Sequence, residues 1–280
     1  MIRKNRTLPV VIFTDLDGTL LNHDDYSYRD ALPIIAHIRE QSIPLIICTS
    51  KTRYEVLDFR KELSIYDPFI TENGGGIFFQ QNQEHKVFNE SEYHDGYRLI
   101  RLGKYYSEIR AFFMELKKRF AITGFGDMDV SAIQSLTGLS MDQATKAKRR
   151  EFTEPFIFES EQDIFLVDQM AGQRGFKIVQ GGRFYHLISS GQDKSIAVRR
   201  VIQIYENMLQ SKIISIGAGD SMNDYGMLKV VHYPVLIPHP DGKYEPMDIP
   251  NLIKAPFAGS KGWYAAIEKI LDTHDKTNCT

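Results

Sequence analysis

The 280-residue chain has little cysteine: two residues, Cys48 in an apolar run and Cys279 in a polar tail. Two so placed offer no disulfide framework, which fits a reducing cytoplasm. An excess of either charge is also lacking. Net charge is −2, so no global positive field recruits nucleic acid or an anionic membrane, and any anion handled must be met by a local cluster. No apolar run approaches the length needed to span a bilayer. The opening MIRKNRTLPVVIF places basic residues ahead of apolar ones, as a leader does. That run stops after Phe13 and soon meets Asp15, too short for a secretory segment. Internal repeats and low-complexity tracts are absent too. The expectation is a soluble cytoplasmic protein with a small-molecule partner. At 42% hydrophobic and 25% charged the composition is ordinary, and the length permits one large domain or two modest ones.

What the chain does have is VVIFTDLDGTLL, residues 10–21. A short apolar run bounded by a turn signal reads as a buried strand. Residues two apart on a strand point the same way, so Asp15 and Asp17 are expected to face one side at its C-terminal tip. Gly18 lets the chain turn sharply beyond them. Two neighbouring carboxylates at a buried strand end repel and are costly to desolvate, which calls for a cation; oxygen ligands of this kind suit Mg²⁺. The plainer alternative is that the aspartates cap the next turn.

Further along, Leu32, Ile35 and Ile38 recur at helical spacing, and a second apolar run at 45–48 ends in Thr49, Ser50, Lys51, Thr52 and Arg53. Strand, helix, strand with apolar runs rather than alternation predicts a parallel sheet, whose ligand crevice lies at the carboxyl ends of its strands. After a helix at 54–63 and a short strand at 68–71 comes ENGGG, residues 72–76. The glycines fit either a backbone nest for an anion or a hairpin turn. From about 88 to 190 the texture changes to aromatics, polar loops, a helix at 105–119 and half-exposed strands at 156–158 and 164–167. This reads as an inserted α+β domain, with 1–87 and 191–280 forming an α/β, Rossmann-like core. The core resumes with SGQDK ahead of a helix at 195–209. An apolar strand at 213–216 then delivers GAGDSMND, carrying Asp220, Asn223 and Asp224. A strand at 233–237 and a helix at 263–271 close the domain.

DLDGTLL, a strand-end Thr or Ser, a distant Lys and GDSMND occur in the order of the four motifs of the haloacid dehalogenase-like phosphatases, which this sequence closely resembles. The resemblance implies Mg²⁺-dependent phosphoryl transfer with a type-2 cap as the inserted domain. Asp15 is then the nucleophile, and Asp17 the acid and base. Thr49, or Ser50 if the motif is registered one residue later, donates to the phosphoryl group, and Lys194 supplies fixed positive charge. The metal set is the Asp15 side chain, the Asp17 backbone carbonyl and Asp220, with Asp224 in support. The chemistry agrees with this. A phosphate monoester carries about two negative charges near neutral pH, so an anionic nucleophile cannot attack it unscreened.

Within the family, TSKTRYEV (49–56), ENGGG, RREFTEPF (149–156), GGRFYHL (181–187) and AGSKGW (258–263) resemble the mannosyl-3-phosphoglycerate phosphatases. Met222 stands where that subgroup's GDSPND has proline. The implied substrate is a phosphorylated glycosyl-glycerate, and its product mannosylglycerate is a compatible solute made in the cytoplasm. The glucosyl form, or a broader range of sugar phosphates, is the alternative. Arg150 and Arg183 are candidates to clamp a carboxylate or phosphate bidentately. Ser50, Lys51, Asn73, Gly74, Gly75, His186 and Asn223 are candidates for its remaining oxygens. Phe184 and Tyr185 read as packing rather than sugar stacking.

Overall fold

The computed structural model describes residues 8–81, 90–160, 164–181 and 184–277, with side chains up to residue 274. It divides into two compact units, one of Met1–Thr49 with Val198–Thr280 and the other of Ser50–Ala197.

The first unit is built on β1 (Val10–Thr14), β2 (Leu45–Ile47), β11 (Ile214–Gly219), β12 (Tyr233–Leu236) and β13 (Ile253–Lys254). Their order is β13-β12-β11-β1-β2 and every pairing is parallel, as the unbroken apolar runs predict. β1 and β2 are buried along their whole length. The helices of this unit are α1 (Leu32–Glu40), most of α7 (Lys194–Leu209), α8 (Tyr225–Val230) and α9 (Gly259–Thr277). α1 has Pro33 in its first turn and buries Ile34, Ile35 and Ile38. α9 is far longer than the predicted 263–271, and its Trp263 is fully buried.

The second unit holds two antiparallel sheets. One has the order β3-β4-β6-β5, from Phe69–Thr71, Gly76–Gln80, Tyr97–Arg101 and Glu92–His94. The other has the order β7-β8-β10-β9, from Ile122–Gly124, Glu154–Phe158, Phe184–Ser189 and Phe176–Gly181. Among the described residues, five helices belong wholly to this unit. They are α2 (Arg53–Glu62), α3 (Tyr106–Leu116), α4 (Val130–Thr137), α5 (Met141–Lys148) and α6 (Ile164–Gln173). α2 opens with a capping box in which Thr52 and Glu55 satisfy each other's backbone donors. Phe112, Phe113, Phe156, Val167 and Leu187 lie in one core. As expected, Tyr185 packs on Phe156 and Phe158, and Phe184 on Phe125.

Two expectations need correcting. The stretch 164–167 is helical, because the apolar run continues as IFLVDQMAGQ and buries Val167 and Ala171, one helical turn apart. Of the texture-based borders, 87/88 lies outside the described residues and 190/191 falls inside the second unit. The reason is hydrogen bonding: β3 and β4 pair antiparallel and run on into β6 and β5, so this sheet is continuous across the change in texture.

Candidate active site

β1 ends at Thr14, and Asp15 is the first residue beyond it. The Asp15 N–H still donates to the Ala218 carbonyl at 2.9 Å, so the parallel ladder with β11 fixes the position of its carboxylate. Strand alternation therefore does not govern Asp15 and Asp17. The chain turns at Leu16, whose carbonyl accepts from Thr19 and Leu21, and Asp17 is half-buried in that turn. Gly18 has φ +73°, and a Cβ there would lie 2.5 Å from Oδ2 of Asp220. The glycine thus serves a close approach as well as a turn. On the other side of Asp220, the Thr19 hydroxyl donates to Oδ1 at 3.2 Å.

β11 delivers Asp220 and Asp224. Oδ2 of Asp224 accepts the backbone N–H of Asp220 at 3.1 Å and of Ser221 at 3.3 Å, which fixes the turn after the strand. Three buried carboxylates meet here, those of Asp15, Asp220 and Asp224, each with an oxygen within 4.8 Å of the others. Three carboxylates gathered out of water repel unless a cation joins them, and an all-oxygen donor set fits a hard divalent ion. Asp17 is outside this group of side chains. Thr49 is buried at the same sheet end, one residue past Cys48, whose N–H donates to the Thr14 carbonyl at 2.8 Å. Asn223 is half-buried, its Oδ1 accepting from the Ser221 hydroxyl at 2.8 Å.

Two contacts in this unit were not visible in the sequence. The indole N–H of Trp263 donates to the Thr14 hydroxyl at 2.9 Å, and that hydroxyl donates to the Asp15 carbonyl at 2.7 Å. Asn22 Oδ1 accepts the N–H and hydroxyl of Ser260 at 3.1 and 3.0 Å, capping α9 from across the sequence. AGSKGW was legible as a motif, but nothing in its spacing pointed to residues 14 or 22.

In the second unit, residues 72–75 form the β3–β4 hairpin turn, the plainer of the two readings. The N–H groups of Gly74 and Gly75 both donate to the Thr71 carbonyl, at 3.1 and 2.9 Å, so neither is aimed at an anion. Glu72, Asn73 and Gly74 are all left-handed, and a Cβ on Gly74 would meet the Asp193 carbonyl oxygen at 2.4 Å. Glu72 is fully buried. Its carboxylate accepts the N–H of Glu151 at 2.8 Å, the N–H of Phe152 at 3.1 Å and the Thr153 hydroxyl at 2.6 Å. Burial pushes its pKa up to about 7 against the opposing pull of Arg150 and these hydrogen bonds.

Arg150 is half-buried, donating Nε to the Ala147 carbonyl at 2.7 Å and Nη1 to the Ser50 carbonyl at 3.0 Å. Glu151 is held by Arg53, which is 2% exposed and also pairs with Asp95. Lys51 lies buried, 3.8 Å from Glu55. His186 sits on β10 between β8 and β9, and burial with the nearby charges of Arg150 and Lys194 lowers its pKa to about 3, so its ring is neutral. Its Nδ1 and the Oδ1 of Asn73 are buried with no hydrogen-bond partner among the described residues. Buried polar atoms of this kind normally find partners. Lys194 opens α7 and is 2% exposed, so it is not a solvated first-turn lysine. Arg183 lies outside the described residues.

The sequence model of the haloacid dehalogenase-like hydrolases matches residues 12–238. The chain belongs to that family. It is 49% identical over 271 residues to a glucosyl-3-phosphoglycerate/mannosyl-3-phosphoglycerate phosphatase of Persephonella marina, covering 96% of this chain and 100% of the relative. A protein of the same description from Methanococcoides burtonii is 40% identical, over 93% of this chain and 97% of its own. A solved phosphatase of the superfamily from Bacteroides thetaiotaomicron superposes with a TM-score of 0.64 at 14% identity, covering 98% of both chains, and so shares the fold. With its family and these phosphatase relatives spanning nearly the whole chain, this hydrolase is a phosphoric monoester hydrolase.

Proposed function

We propose that this hydrolase removes the phosphate from a glycosyl-3-phosphoglycerate, glucosyl or mannosyl, through an aspartyl-phosphate on Asp15. The observation that carries the chemistry is the buried meeting of Asp15, Asp220 and Asp224, which fits Mg²⁺. Bound there, the cation would supply charge screening and alignment of the phosphoryl oxygens. Asp15, just past the end of β1 with its N–H bonded to the Ala218 carbonyl, attacks phosphorus in line. Asp17 gives a proton to the leaving glyceryl oxygen and later takes one from the attacking water. Thr49 (or Ser50) donates a hydrogen bond to the transferring group, and buried Lys194 offsets its charge.

For the substrate, support comes from the two relatives, both described by the glucosyl and the mannosyl compound. The second unit offers matching chemistry. Arg150 answers the substrate carboxylate, while the unpartnered atoms of His186 and Asn73 answer hydroxyls. Lys51, Asn223 and Arg183 complete the proposed recognition set. The inserted domain at 88–190 acts as the cap that selects substrate, and the glycosylglycerate released would serve as a compatible solute in the cytoplasm.

The test is phosphate release with Mg²⁺ across a panel of phosphorylated metabolites that includes both glycosyl-3-phosphoglycerates. Strong preference for either one is expected. Release from simple sugar phosphates alone would keep the chemistry and discard the substrate.

A further inference from the structure

Three stretches of the second unit that lie far apart in sequence converge on one residue that takes no part in the chemistry above, Glu72. Glu72 Oε1 accepts the Glu151 N–H, and Oε2 accepts the Phe152 N–H and the Thr153 hydroxyl. Its backbone is equally committed: the N–H donates to the Lys51 carbonyl at 3.0 Å, and the carbonyl accepts Nε2 of Gln192 at 2.5 Å. The turn it grips, 151–153, directly follows Arg150. Nη1 of Arg150 reaches the Thr153 hydroxyl at 3.5 Å, the long limit of a hydrogen bond, and that hydroxyl in turn donates to Glu72. From the opposite side Arg53 holds the Glu151 carboxylate, with Nη2 at 3.0 Å from Oε1.

A fully buried carboxylate is an expensive anchor for a turn, since backbone N–H groups can be satisfied by neutral acceptors. What the carboxylate adds is three acceptances in one plane, which lock the turn against both translation and rotation. Asn73 is the next residue after Glu72, so one rigid piece carries Asn73 on one side and Arg150 on the other.

We propose that Glu72 is a positioning residue for substrate recognition, setting the distance between Arg150 and Asn73 through the 151–153 turn. The inference rests on the reading of Arg150 and Asn73 as recognition groups for a glycosyl phosphoglycerate. Glu72 itself touches no substrate. In Glu72→Gln an amide NH₂ replaces one oxygen and meets a backbone N–H donor head-on, so at least one bond is lost and the turn shifts. Thr153→Val cuts only the hydroxyl relay, whereas Thr153→Ser keeps it.

The experiment compares steady-state kinetics of the full-length wild type and these three variants on a glycosyl-3-phosphoglycerate and on p-nitrophenyl phosphate. With the glycosyl substrate, KM is expected to rise about tenfold in Glu72→Gln and several-fold in Thr153→Val, to stay at the wild-type value in Thr153→Ser, and kcat to change less than about twofold. Values for the aryl phosphate, which has no carboxylate or sugar to be positioned, are expected to stay within about twofold throughout. Equal losses on both substrates, or no rise in KM, overturn the proposal. Should Glu72→Gln not fold, Thr153→Val against Thr153→Ser decides on its own. A wild type that shows no preference for the glycosyl substrate overturns the substrate reading and this inference together. A wild type that shows it, with KM unmoved in the variants, overturns the inference alone.

Discussion

Folding shifts the pKa values of His186 and Glu72 in opposite directions, so between pH 7 and 5 each hides the other's effect on stability. His186 is neutral in the folded protein, its pKa lowered from 6.5 to about 3 by burial and by Arg150 and Lys194. The unfolded chain therefore binds the extra proton as pH falls through 6.5, and stability is lost. From pH 7 to 5 that loss integrates to about 2 kcal/mol. Glu72 has the opposite sign. Its pKa is raised from 4.5 to about 7 by burial and by Glu151, against Arg150 and Thr153, so the folded protein takes up the proton first and gains stability as pH falls through 7. Over the same interval this gain is also about 2 kcal/mol. The pair cancels in the wild type, and single variants expose each half. Relative to wild type, His186→Asn should become more stable on going from pH 7 to 5 by about 2 kcal/mol, and Glu72→Gln less stable by a similar amount. The assay is urea unfolding followed by far-ultraviolet circular dichroism, since the chain's one tryptophan, Trp263, lies in the other unit and would not report. Differences from wild type that do not change with pH would refute the reasoning for that residue.

Asp15→Asn should abolish phosphate release while leaving the thermal unfolding midpoint within a few degrees of wild type; turnover near wild type would remove Asp15 as the nucleophile. Gly18→Ala forces a side chain into left-handed backbone 2.5 Å from Oδ2 of Asp220. It should cost about 1–2 kcal/mol in urea unfolding and raise the Mg²⁺ concentration for half-maximal activity. Arg53→Met leaves half-buried Glu151 with the His94 ring, 2.7 Å away, as its remaining side-chain partner and should destabilise by about 1–3 kcal/mol, read by thermal or urea unfolding. Trp263→Phe keeps most of the packing but loses the bond to Thr14, for about 1 kcal/mol in the same measurement.

The parallel sheet was legible because its strands are mainly apolar runs without polar alternation, and the aspartates were legible because they end such runs abruptly. Asp15 lies some two hundred positions before Asp220 and Asp224, yet all of them follow buried strands at the same sheet end, so their meeting was predictable from topology. The antiparallel continuation from β4 into β6 was not, since the one clear turn signal between 76–80 and 97–101 is Asp95-Gly96, which closes only the short β5–β6 hairpin. Neither was α6, whose first four residues suit a strand and whose helix shows only when Ala171 is seen to share a face with Val167. The contacts of Trp263, Asn22 and Glu72 were hidden for one common reason. Each is a single side chain reaching a distant backbone or hydroxyl group, and no local periodicity records such a reach.

The ladder between β1 and β11 also has a consequence for how the protein is made. Val10 pairs with Ile214 and Thr14 with Ala218, so the strand carrying Asp15 leaves the ribosome long before its principal neighbour exists. At about 5–20 residues per second, β1 and β2 have only each other to pair with for on the order of ten seconds or more, while Ser50–Ala197 is being made. Until residue 224 has emerged, the three acidic side chains cannot meet, so a truncated or stalled chain holds no assembled site. Nascent chains should therefore be inert toward the cell's phosphorylated metabolites, and the exposed early strands are where a chaperone would be needed.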